Sequence, residues 1–150
     1  MNFVLTRIHP RKRGGTSPAE ALLETYAARI AHGGGCELRD FPSEATFAEF
    51  LDKAVRRTRP ALILADSRGL QLTSEDFAGR LKRLADSGTQ DAMLAVGPPD
   101  GWSTDLLARA DFTLAFGRIT LPHELAMVIL AEQVYRATTI WSGHPYHGDH

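Results

Sequence analysis

Apolar residues along this chain recur with two spacings, and the alternation between them predicts its elements. FVLTRI over 3–8 is rich in β-formers and predicts a first strand. Ser17-Pro18-Ala19-Glu20 reads as a capping box with proline at the first helical position. The helix it opens runs to about Ile30, with Leu22, Leu23, Tyr26, Ala27 and Ile30 on one face, and Gly33-Gly34-Gly35 ends it. A strand over 36–41 follows. Thr46 with Glu49 gives a second cap ahead of Phe47, Phe50, Leu51 and Val55, and Pro60 bounds that helix. Ala61–Ala65 and Ala92–Val96 are continuous apolar runs, the pattern of strands covered on both faces. Between them lie a turn at Ser67-Arg68-Gly69 and a helix from Ser74 to about Ser87. A loop over Gly97–Gly101, a short helix capped by Ser103, a strand over 112–116 and a long helix entered at Pro122 complete the chain.

Five alternations without a composition break predict one α/β domain over 1–150 with a mostly parallel sheet. Helices must then cover both faces, which gives a three-layer sandwich. The last helix departs from a surface pattern, because Leu125–Ala131 is apolar all round. One side of it can face the sheet and another a second subunit, so a homodimer is expected. Glu132, Gln133, Tyr135 and Arg136 follow one turn later and need polar partners in such surroundings.

Charge narrows the class of partner. Lys+Arg number 17 against 18 Asp+Glu, a net −1 that excludes a generally polycationic nucleic-acid binder and leaves room for a local basic face. Fourteen of the cations are arginines. Arg7/His9/Arg11/Lys12/Arg13 falls at a glycine-containing loop after the first strand, suited to a ligand or RNA, whereas Arg56/Arg57/Arg59 reads as solvated surface. Cys36 has no cysteine to pair with, no apolar run reaches membrane-spanning length, and the start places apolar residues before basic ones, the reverse of a secretory signal. A cytoplasmic home is expected.

Ligands of open α/β sheets bind beyond the carboxyl ends of the strands. Gly69, Gly97, Gly101 and Gly117 all fall in loops there, where backbone can approach a ligand; tight turns alone are the alternative. The chain has no GxGxxG and no GxxxxGK[ST], and Pro98 and Pro99 offer no backbone N–H to a phosphate. A dinucleotide or ATP is disfavoured, and an adenosine without phosphates remains compatible. The tail histidines 144, 147 and 150 lack the ligand pattern of a metal site, so no metal is expected, and no GxSxG nucleophile motif occurs.

Three strings carry a resemblance: Thr120-Leu121-Pro122-His123, Ala131-Glu132-Gln133-Val134-Tyr135-Arg136-Ala137 and His144-Pro145-Tyr146-His147. They resemble the C-terminal signature of the large-subunit rRNA pseudouridine N3-methyltransferases, the ribosomal RNA large subunit methyltransferase H family of the SPOUT class. Ala65-Asp66-Ser67-Arg68-Gly69 and the Gly97–Gly101 loop stand in register, while the N-terminal third is only loosely similar. The resemblance implies a C-terminal trefoil knot, a homodimer and S-adenosyl-L-methionine as cofactor. By motif, Ala65, Gly97 and the segment Phe116-Gly117-Arg118-Ile119-Thr120-Leu121 would form the cofactor pocket.

The implied reaction methylates N3 of a pseudouridine in large-subunit (23S) rRNA within the assembled ribosome. Such a reaction gains most from alignment, and the N3 proton must leave. His123, Tyr146 and His147 are the candidates for substrate and proton handling, with Arg136 for RNA or charge stabilisation. The structural alternative for His123 is a helix-start histidine held by backbone. Departures from the family are Pro98 in place of a second glycine, Met127 in place of an arginine early in the last helix, and Gly148-Asp149-His150 in place of a closing Arg-Glu. Two rivals stand beside this reading: a SPOUT enzyme for tRNA or another rRNA site, and a catalytically silent ribosome-binding module, which Pro98, Met127 and Gly148 motivate.

Overall fold

The computed structural model describes residues 1–9, 17–54 and 58–148. Elements run β1 (Asn2–Ile8), α1 (Pro18–Ala31), β2 (Gly35–Phe41), α2 (Glu44–Lys53), β3 (Ala61–Leu70), α3 (Ser74–Asp86), β4 (Asp91–Val96), α4 (Thr104–Arg109), β5 (Phe112–Leu114), α5 (His123–Ser142) and a 3-10 turn at Pro145–His147. The strands order β2-β1-β4-β3-β5, and every pairing is parallel. Alternate residues serve opposite faces. Phe3, Leu5, Ile63 and Leu94 pack in the layer of α1, α3 and α5. Val4, Leu62, Leu64 and Met93 pack with Phe47 of α2 and Leu106 of α4. These are the three expected layers.

Local chemistry sets the helix starts. Ser17, Thr73 and Ser103 each accept a hydrogen bond from the backbone N–H three residues on. In α2 the cap is Ser43 rather than Thr46, whose hydroxyl instead closes a capping box from three residues inside the helix. Glu20, the expected capping-box partner of Ser17, binds Arg7 with its carboxylate.

The expected turn at Ser67-Arg68-Gly69 is strand. β3 runs on to Leu70, with a register irregularity between Ala65 and Leu70 where both pair with Leu114. Gly69 permits this crossing, because a Cβ there would stand 2.7 Å from the carbonyl carbon of Thr113. β5 in turn stops at Leu114 rather than 116, leaving Phe116 in a loop.

Arg7 corrects the reading of the first basic cluster. It lies in β1, buried, with Nε 2.8 Å from Asp40 and Nη1 2.9 Å from Glu20. Arg11, Lys12 and Arg13, like Val55, Arg56, Arg57, Asp149 and His150, lie outside the described residues. Arg59 pairs with Asp111 at 2.8 Å.

α5 owes its apolar character to its own chain. It packs on the sheet with α1 on one flank and α3 on the other, which buries Met127, Leu130, Ala131 and Val134. Met127 is thus a core residue. Leu125 remains 48% exposed at the start of α5.

Candidate active site

The second half of β3 and the loops after β4 and β5 border a cavity of about 630 Å³ at the carboxyl edge of the sheet. Ala65, Gly97, Phe116, Gly117, Arg118, Ile119, Thr120 and Leu121 all line it, and so does His123. Trp102, which sequence reasoning passed over, ties β3 to the loop after β4. Its indole N–H donates to the Ala65 carbonyl at 2.8 Å, and a Cβ on Gly97 would fall 2.6 Å from its ring. The only sequence signal for it was its place one residue beyond the Gly97–Gly101 loop. That loop turns on a 2.9 Å bond from the Gly101 N–H to the Pro98 carbonyl, and Ser103 N–H donates to Glu44 at 2.8 Å.

Asp66 and Arg68 add charge to the cavity wall and were also passed over. Asp66 accepts from the backbone and the side chain of Arg68. The guanidinium holds the Asp66 carboxyl below its usual range, while burial pulls the other way. The pair lies within β3, just past Ala65, where its pairing with β4 ends.

His123 joins α5 to the β4 loop, its Nε2 bonded to the Gly97 carbonyl. A carbonyl only accepts, so Nε2 carries the proton and Nδ1 keeps a lone pair. Burial pushes its pKa below the ordinary 6.5; the Gly97 carbonyl opposes that, and nearby His9 and Arg7 add to it. The His9 ring stands edge-on to it at 6.2 Å. The backbone-held alternative for His123 is therefore realised, with Val96 as a further backbone partner.

Arg136, Tyr146 and His147 meet elsewhere, where the tail folds back over α5. Glu132 is their hub: its Oε1 accepts from Arg136 Nε at 3.0 Å and Nη2 at 2.6 Å, and from Tyr146 Oη at 3.1 Å. Arg136 Nη1 lies 3.4 Å from His147 Nδ1, and His147 Nε2 lies 2.9 Å from Glu75. Burial foremost, then a hydrogen bond with Tyr26 and the Glu132 carboxylate, pushes the Tyr146 phenol upward. It stays protonated and donates. Arg136 and His123 are thirteen residues apart on one helix, about 20 Å along its axis. The chain therefore holds two separate clusters.

Among the described residues no group of three or more His, Cys, Asp or Glu is placed to hold a metal ion. No described helix is long and apolar enough to cross a membrane.

Comparison with known proteins fits this geometry. The family model described as "Predicted SPOUT methyltransferase" matches residues 12–147. A protein of Koribacter versatilis (strain Ellin345) named Ribosomal RNA large subunit methyltransferase H is 42% identical over 134 residues, which cover 89% of this chain and 91% of that protein. Among solved structures, a probable methylase family protein of Haemophilus influenzae Rd KW20 superposes with a TM-score of 0.53 at 13% identity over 95% of this chain. The SpoU methyltransferase AviRb of Streptomyces viridochromogenes, solved in complex with AdoMet, gives a TM-score of 0.50 at 15% identity over 91% of this chain. This chain spans 66% and 57% of those two chains, and the likeness is one of fold.

Proposed function

Because the chain belongs to the ribosomal RNA large subunit methyltransferase H family of SPOUT methyltransferases, we propose that it uses S-adenosyl-L-methionine to methylate N3 of a pseudouridine in the 23S rRNA of the assembled ribosome. The observation that carries this reading is that all eight cofactor candidates and His123 line one cavity.

The cavity suits that cofactor. Val96, Leu114, Phe116 and Trp102 offer apolar wall to an adenosine, and Pro98 and Pro99 withhold the amides that a phosphate would need. Asp66 and Arg68 offer opposite charges to a zwitterionic amino-acid end. When bound, the cofactor supplies a methyl group whose bond to sulfur breaks, with the electron pair staying on sulfur, as the bond to N3 forms and the N3 proton leaves. His123, neutral at pH 7 with Nδ1 free of its Gly97 bond, is the group that takes or relays that proton. Arg136, Tyr146 and His147 present a cation and hydrogen-bonding groups for RNA.

A homodimer unites the two clusters, the tail of one protomer serving the cavity of the other. The trefoil knot, the absence of a metal and a cytoplasmic location belong to the same proposal. Mixing the separately purified His123→Ala and His147→Ala variants tests it. Each alone is expected to be nearly inactive, and the exchanged heterodimer regains one intact site and measurable methyl transfer. A mixture as inactive as its parents, at concentrations where subunits exchange, refutes the shared site.

A further inference from the structure

A second hollow of about 350 Å³ adjoins the cavity, between α3, the end of β5 and α5. The two share Leu114, Phe116 and Gly117. Its floor is apolar, with Phe77, Leu72 and Ile129, while Ser74 and Gln133 form a polar wall. Ser74 Oγ donates to Gln133 Oε1 at 2.7 Å, and Gln133 Nε2 donates to Glu132 at 2.6 Å. A carboxylate only accepts, so the amide nitrogen is fixed toward Glu132 and the amide oxygen toward Ser74. That oxygen keeps a second lone pair. Since the Ser74 proton is committed to Gln133, its oxygen too is left as an acceptor.

We propose that this hollow receives the base to be methylated and that Gln133 Oε1 accepts the N1–H of pseudouridine. The inference rests on the function proposed above and adds how that site selects its base. Uridine carries its ribose on N1, so its single ring N–H is N3, the atom to be methylated. Pseudouridine carries its ribose on carbon and keeps a hydrogen on N1. An acceptor at N1 separates the two bases and leaves N3 for the neighbouring cavity. Aromatic and apolar walls with a few fixed polar groups are what a base drawn out of its stack requires. Glu132 orients Gln133 through Oε2 and holds Arg136 and Tyr146 through Oε1.

The test compares methyl transfer to two preparations of assembled ribosomes, one with pseudouridine and one with uridine at the target. Gln133→Met is expected to narrow the wild-type preference for pseudouridine by about tenfold or more. Ser74→Ala, which frees the amide without removing it, narrows it by less and remains informative if Gln133→Met does not fold. Affinity for S-adenosylmethionine, read by calorimetry, stays at the wild-type value in both variants. A wild type that methylates pseudouridine while both variants keep its preference overturns the subsite alone. A wild type that methylates neither preparation overturns the proposed function and the subsite together.

Discussion

The imidazole of His123 donates through Nε2 to the backbone carbonyl of Gly97, tying the first residue of α5 to the loop after β4. The contact spans 26 residues of sequence and fixes both the ring's tautomer and the cavity's rim.

His123 makes stability depend on pH. Its folded pKa lies below the ordinary 6.5, chiefly through burial, so just below pH 6.5 the unfolded chain binds the proton first. Stability is full above about 6.5 and falls as pH drops from there toward the folded value. In urea unfolding from pH 7.5 to 5, His123→Asn is expected to lose less stability on acidification than the wild type. Parallel curves would contradict this.

Trp102 and Gly97 act as one unit. Trp102→Phe keeps a ring beside Gly97 but leaves the Ala65 carbonyl without its donor, an expected loss of about 1 kcal/mol. Gly97→Ala forces a methyl against that ring and costs about 1–3 kcal/mol. Both are expected to weaken S-adenosylmethionine binding, which calorimetry measures.

Arg7 holds the first turn of α1 and the end of β2 to β1. Arg7→Met leaves two carboxylates without their counter-charge. Because the Asp40 side chain is 50% exposed, water recovers part of the loss, and about 2 kcal/mol is expected in denaturant unfolding. Arg7→Lys restores only part of it, since an ammonium cannot fork to two partners as a guanidinium does.

The legible parts of this fold are those written in local spacing. The apolar runs at Ala61–Leu64 and Ala92–Val96 give buried strands, and the serine and threonine caps give helix starts within a few residues. What failed depended on partners distant in sequence. Ser67-Arg68-Gly69 looks like a turn until Leu114 pairs with the strand beyond it. Arg7 looks like part of a basic loop until Asp40, 33 residues away, pairs with it in the fold. The loops bearing Gly97, Gly101 and Gly117 were legible from the rule for α/β sheets, whereas Gly69 lies in β3 and the eight lining positions came from the resemblance. The distance between His123 and Arg136 follows from an unbroken helix that spacing alone does not guarantee.

Tyr146 works as a phenol. Burial first, then the Tyr26 hydrogen bond and Glu132, keeps it protonated, so kcat/KM is expected to show no rise near pH 10 from a phenolate. Tyr146→Phe is expected to lower kcat/KM about tenfold. Glu132→Gln loosens Arg136 and Tyr146 together and costs more. An alkaline rise that Tyr146→Phe removes would contradict the assignment.

Transfer of labelled methyl from S-adenosylmethionine to assembled ribosomes, free large-subunit rRNA and tRNA, with the modified nucleoside identified, decides whether the protein is this methyltransferase. N3-methylpseudouridine is expected from the assembled ribosome, far above the other two. Methylation of free tRNA without methylation of ribosomes, or ribosome binding without any transfer, would contradict it.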